Sequence, residues 1–123
     1  MRLSPLDATW NRVASPIRGM GRTMDKPDQI GARLRLLRLA LGYEQARPFC
    51  QRLEISDQAW NNYESGRRRI SLDEVMKVVQ KTGVSLDWVY RGLESTLPKH
   101  VADKIQDFAR VHPEEVNRRA SNG

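Results

Sequence analysis

The chain has 123 residues, of which 39% are hydrophobic, and this length and composition suit one small compact domain. Its 21 Lys and Arg residues exceed its 15 Asp and Glu residues, and the resulting charge of +6 favours an anionic partner, chiefly nucleic acid or an acidic membrane surface. The single cysteine excludes an internal disulfide framework, and no apolar run approaches the length of a membrane span. A soluble cytoplasmic protein is therefore predicted.

Residues 1–28 are predicted to form a flexible N-terminal arm. Three prolines and two glycines interrupt every possible helix in this segment: Pro5, Pro16, Pro27, Gly19 and Gly21. The regular helical pattern begins immediately afterwards, so we expect the folded domain to span residues 29–93.

Five helices are predicted between residues 29 and 93, and no strand pattern competes with them. The first has apolar residues at helical spacing and ends before Gly42. A short second helix runs from about residue 46 or 47 to residue 53, and the third, from about residue 56 to 65, starts at the N-cap Ser56. Ser71 and Ser85 begin the fourth and fifth in the same way. The predicted fold is all-α.

Residues 94–123 are predicted to contain a linker, one further helix and a frayed tail. Four apolar residues form a stripe on that helix: Val101, Ile105, Phe108 and Ala109. Because so short a helix is not stable alone in water, the stripe must be buried. We expect it to pack against the same helix of a second chain rather than against the fourth and fifth helices of its own domain.

The third helix has the composition of a helix that contacts DNA bases. Its apolar residues fall on one side of a helical wheel, and three amides fall on the other: Gln58, Asn61 and Asn62. Such amides make bidentate hydrogen bonds with adenine in the major groove. Three arginines follow the helix and could hold phosphates beside the groove: Arg67, Arg68 and Arg69. Each feature alone would suit an ordinary solvated surface, but together they predict DNA binding.

Three segments and their spacing resemble a known family: "IGARLRLLRLALGY", "EISDQAWNNYESGRRRIS" and "SLDEVMKVVQKTGVSLDWVYRG". The chain from Ile30 to Leu93 is similar to the phage-repressor or XRE type of helix-turn-helix domain, the five-helix fold of lambda-type repressors and Cro. In that family the third helix enters the major groove of double-stranded DNA, while the second crosses the backbone. The resemblance therefore implies a five-helix lambda-repressor-like fold with the third helix as recognition helix.

The resemblance also implies roles for individual residues. The candidates for base contacts are Gln58, Asn62 and Asp57. The candidates for contacts to the DNA backbone are Gln45, Arg47, Asn61, Arg67, Arg68 and Arg69. In addition, Arg38 and Glu64 hold the positions of an ion pair with which the family often ties its first helix to its third, which implies a structural role for both.

Two positions depart from the family pattern. The second helix usually starts with a Thr/Ser-Gln pair whose Gln grips a phosphate, but Ala46 fills the Gln position here. Gln45 or Arg47 would then replace that contact. The other departure is Asp57, which either favours the helix dipole or accepts a hydrogen bond from cytosine N4. We favour the dipole interpretation.

No constellation of residues indicates catalysis, a cofactor or a metal site. His100 and His112 lie twelve residues apart without neighbouring ligands at metal-binding spacing. Cys50 lies at an inward position of the second helix, and the sequence offers no base to activate it as a nucleophile. We therefore expect a protein that is not an enzyme.

The predicted function is that of a sequence-specific transcriptional regulator, such as a repressor, of bacterial or phage origin and associated with the nucleoid. It would act as a homodimer on a palindromic operator. Two alternatives stay open. One is an antitoxin whose C-terminal helix binds a toxin, and the other is a protein-interaction module that has lost DNA binding. The sequence identifies no operator and no small-molecule effector.

Overall fold

The computed structural model describes residues 24–115, and these residues form an all-α fold, as predicted. In chain order the helices are α1 (Pro27–Ala40), α2 (Ala46–Leu53), α3 (Asp57–Glu64), α4 (Leu72–Thr82), α5 (Leu86–Arg91) and α6 (Lys99–Val111). A short 3₁₀ helix, Glu94–Thr96, lies between α5 and α6. No strand occurs among these described residues.

Local capping signals set the starts of α3, α4 and α5. In each case a serine hydroxyl accepts a hydrogen bond from the backbone amide three residues later, at 3.1–3.2 Å; the serines are Ser56, Ser71 and Ser85. Gly83 and Gly92 end α4 and α5 with the left-handed backbone that glycine adopts without strain, at φ 87° and 77°. The predicted starts of these helices therefore agree with the structure.

The turn between α2 and α3 consists of three residues, 54–56. Glu54 ends α2 in the left-handed region, with φ 61° and ψ 44°, a conformation that glycine usually supplies. Lys77 on α4 donates a hydrogen bond to the Glu54 carbonyl at 2.9 Å, and Ile55 is buried next to it. These contacts fix the angle at which α3 leaves α2.

The core fixes the inner face of α3. Trp60 and Tyr63 of this helix are 1% and 6% exposed, and the Trp60 ring meets the Phe49 ring of α2 edge to face with centroids 5.4 Å apart. On the α1 side, a Cβ added to Gly31 would lie 2.3 Å from the carbonyl oxygen of Tyr63. Only glycine at this position allows α1 and α3 to approach so closely.

The N-terminal boundary of the folded domain differs from the prediction. Helix α1 begins at Pro27, because a proline in the first helical position sacrifices no intrahelical hydrogen bond. Asp25 is buried, and its backbone amide donates to the Tyr90 carbonyl at 2.9 Å. The folded part therefore includes residues 25–28, which the prediction assigned to the arm. The rest of the predicted arm, residues 1–23, lies outside the described residues.

Helix α6 packs on its own chain, so the expectation that its stripe would meet a second chain is wrong. Val101 and Ile105 are buried in the common core, and Phe108 packs against it. The main neighbour of α6 is α1 instead of α4 or α5. Leu36 of α1 is only 5% exposed and belongs to the same buried cluster as Val101 and Ile105. Residues 94–111 thus belong to the same folded body.

Candidate nucleic-acid interface

Helix α3 combines a fixed inner face with a polar outer face. Its apolar residues anchor it to the core, whereas Gln58 and Asn61 are exposed and Asn62 is half-buried. Gln58, Asn62 and Arg68 border a shallow depression on this outer side. The three amides are thus presented from a rigid helix, as base-contacting side chains need to be.

The predicted Arg38–Glu64 ion pair is present. Arg38 Nε lies 2.7 Å from Glu64 Oε2, and the two side chains are 5% and 12% exposed. The guanidinium also donates to the carbonyls of Tyr43 at 2.8 Å and Glu44 at 2.7 Å, while Trp60 Nε1 donates to the Glu64 carboxylate. This network joins α1, the loop before α2 and the last turn of α3.

Two predicted site residues contact each other at the start of the helix-turn-helix. Arg47 Nε in the first turn of α2 lies 3.0 Å from Asp57 Oδ2 at the first position of α3. Both side chains are largely exposed, at 76% and 51%. Gln45 is exposed at the N-cap of α2, and its side chain makes no capping hydrogen bond. All three residues are predicted site residues, but the sequence does not indicate that Arg47 and Asp57 pair.

The three arginines after α3 differ in their surroundings. Arg67 Nη1 lies 3.4 Å from Asn62 Oδ1, and Arg68 lines the depression beside α3. Arg69 instead donates from Nη1 to the backbone carbonyl of Asp25 at 2.7 Å. Its guanidinium therefore holds the segment before α1, a role that the sequence analysis did not assign to it.

A second buried ion pair was missed by the sequence analysis. The Arg33 guanidinium pairs with the Asp25 carboxylate, each side chain being 8% exposed, and Arg33 Nη1 donates to the Val89 carbonyl at 2.8 Å. The signal was present in the sequence, because Arg33 lies on the apolar side of α1 at helical spacing from Ile30 and Leu37. A charged residue at that position requires a buried partner.

Cys50 is buried in the core below this surface. Burial raises the pKa of its thiol to about 11, and the carboxylates of Asp57 and Glu64 add to the increase. The thiol is therefore neutral at physiological pH, and α2 uses it as a small apolar residue.

The described residues contain neither a metal-binding cluster nor a helix that could span a membrane. Across residues 24–115 no group of three or more His, Cys, Asp and Glu side chains is placed to hold a metal ion. None of the helices in that range is long and apolar enough to cross a membrane.

Comparison with known proteins gives two matches. A helix-turn-helix family model matches residues 34–89, which include the whole of α2, α3 and α4. A protein of Rhodospirillum rubrum, described as an uncharacterized transcriptional regulator in the ATPase CF(0) region, is 32% identical to the chain over 80 residues. The alignment covers 64% of this chain and 73% of the relative. No solved structure matches the chain significantly.

Proposed function

The chain belongs to the XRE-type helix-turn-helix family of DNA-binding transcription regulators, and from this premise we propose that it recognises a specific sequence with α3 in the major groove. The observation that supports the proposal is the outer face of α3, where Gln58, Asn61 and Asn62 project from a helix whose inner face is locked in the core. A helix of about 10–12 Å diameter fits a major groove about 12 Å wide.

Gln58 and Asn62 are the proposed base contacts. Replacing either with alanine should weaken binding to the preferred duplex by about 1–3 kcal/mol and relax preference at one or two base pairs. Selection of bound duplexes from a random pool, followed by affinity measurements, tests this. Gln106→Ala removes an exposed amide from α6 as a matched control. If both α3 variants discriminate as well as the wild type, these residues do not read bases.

The arginines after α3 should affect all DNA sequences alike. Arg67→Ala and Arg68→Ala are each expected to reduce the steepness of the plot of log K against log salt concentration. The slope should change by about 0.9, the value for one lost phosphate contact. Arg69→Ala should also lower stability, because it loses the hydrogen bond to Asp25. Arg110→Ala, an exposed arginine on α6, is the control for net charge. Unchanged slopes for Arg67→Ala and Arg68→Ala would place the phosphate contacts elsewhere.

We further propose that the protein binds a palindromic operator as a homodimer, with its recognition helices roughly 34 Å apart. We place the proposed interface outside the α6 stripe, because Val101 and Ile105 are already buried within one chain. Analytical ultracentrifugation with and without a selected palindromic duplex measures the assembly. A monomer that occupies the two half-sites independently would contradict this proposal.

The antitoxin alternative loses support from the packing of α6, and the other alternative is tested by binding measurements. An antitoxin would need the α6 stripe free for its toxin, whereas this stripe packs on α1. A protein-interaction module without DNA binding would show a shallow salt dependence with its partner and no affinity for duplexes. A steep salt dependence on duplex DNA therefore separates it from the proposed regulator.

A further inference from the structure

Arg47 and Asp57 form an ion pair with each other, and each of the two side chains could instead contact DNA. Arg47 lies in the first turn of α2, the helix that crosses the DNA backbone in the proposed complex, and Asp57 lies at the first position of the recognition helix. Their contact of 3.0 Å means that each side chain is engaged by the other while the protein is free of DNA.

The exposure of the pair makes it easy to open. Both side chains are more than half exposed, and ion pairs of this kind contribute little to the stability of a fold. The arrangement therefore differs from the buried Arg38–Glu64 pair, which holds two helices together. A phosphate near the N-terminus of α2 can compete with Asp57 for the Arg47 guanidinium.

The carboxylate determines whether that competition succeeds. If Arg47 turns to a phosphate, the Asp57 carboxylate loses its positively charged partner at the edge of a groove bordered by negative charge. A carboxylate accepts hydrogen bonds and cannot donate, so it needs a donor on the base edges. Cytosine N4 is the donor that Asp and Glu side chains accept from in the major groove. On adenine the N6 donor is flanked by the N7 acceptor, which repels the second carboxylate oxygen.

We propose that Arg47 and Asp57 form an exchange pair that makes one phosphate contact depend on the DNA sequence. Arg47 leaves Asp57 for a phosphate where the carboxylate meets a cytosine N4, and it stays paired with Asp57 on other sequences. Asp57 is then a specificity determinant that acts partly by restraining Arg47 on the wrong DNA. The inference rests on the proposed function, because it requires α3 to lie in the major groove.

Removing the carboxylate alone should increase non-specific binding. In Asp57→Asn the Arg47 guanidinium is free to contact a phosphate on any duplex. Affinity for an unrelated duplex should rise about fivefold to tenfold at about 0.1 M salt, and its salt slope should steepen by about 0.9, the value for one added phosphate contact. The preference for cytosine at one position should disappear.

The arginine variant should behave in the opposite way. Arg47→Ala is expected to weaken binding to the selected duplex by a similar factor and to weaken binding to unrelated DNA less, because the wild-type arginine makes no phosphate contact there. In the double variant, the gain from Asp57→Asn should vanish because no guanidinium remains to be released. This dependence separates an exchange pair from a simple loss of negative charge.

The experiment uses the full chain, with duplex selection from a random pool and salt titrations on selected and unrelated duplexes. Asp87→Asn is the matched control: Asp87 is 52% exposed in the first turn of α5 and lies 3.7 Å from Arg91, away from the interface. The thermal melting temperature of each variant confirms that it is folded.

The outcomes separate the inference from the function on which it rests. If the wild type selects no sequence, both are overturned. The exchange pair alone is overturned if Asp57→Asn keeps the wild-type preference and salt slopes, if Asp87→Asn produces the same gain, or if the gain persists without Arg47. Loss of the cytosine preference, together with a gain that requires Arg47, supports the exchange.

Discussion

Replacement of Glu64 with alanine is expected to lower the free energy of unfolding by about 3–5 kcal/mol. The variant leaves the Arg38 guanidinium, which is 5% exposed, without its carboxylate in the interior. The carbonyls of Tyr43 and Glu44 remain as acceptors, but neither carries a charge. Trp60 Nε1 also loses its acceptor. Urea denaturation followed by circular dichroism measures the change.

An exposed ion pair supplies the control for this prediction. Lys99 and Asp103 lie 3.0 Å apart on α6 with side chains 88% and 53% exposed, so Asp103→Ala should change stability by no more than about 1 kcal/mol. Glu64→Gln keeps the acceptor for Trp60 and should fall between the two variants. If Glu64→Ala is no more destabilising than Asp103→Ala, the pair does not tie α1 to α3.

The parts of the fold that the sequence predicted depend on neighbouring residues. A serine three positions before a free backbone amide specifies the start of a helix, and a glycine after a periodic apolar run specifies its end. Both signals are local and do not depend on the rest of the chain. The two faces of α3 likewise follow from eight consecutive residues. The Arg38–Glu64 pair spans 26 positions, and only the resemblance to a known family made it predictable.

The features that the sequence did not predict depend on distant or ambiguous contacts. The stripe on α6 requires burial but does not specify the surface that covers it, and in the structure α1 is that surface. The contact of Arg47 with Asp57 depends on the angle between two helices joined by a left-handed Glu54. Pro27 reads as an interruption in the sequence, although at the first helical position a proline is compatible with a helix.

Replacement of Asp25 is expected to have the second large effect on stability. This residue is buried in the fold, although it lies in the segment predicted as an arm. Asp25→Ala in the full chain should lower the free energy of unfolding by about 3–5 kcal/mol, since it leaves the buried Arg33 guanidinium without its partner. Asp107→Ala removes one side of an exposed pair on α6 and should change stability by no more than about 1 kcal/mol. Thermal and urea denaturation of both variants measures the difference.

A second substitution tests whether the cost comes from an uncompensated charge. Among the described contacts, Arg33 Nε is buried without a hydrogen-bond partner, so the native pair is not fully satisfied. Replacing both partners of a buried pair with apolar residues is often neutral, whereas removing one is costly. Asp25→Ala combined with Arg33→Met should therefore recover most of the loss. If the double variant is as unstable as Asp25→Ala, the loss of stability comes from lost packing around residue 25. Arg69 and Tyr90 also contact the backbone there.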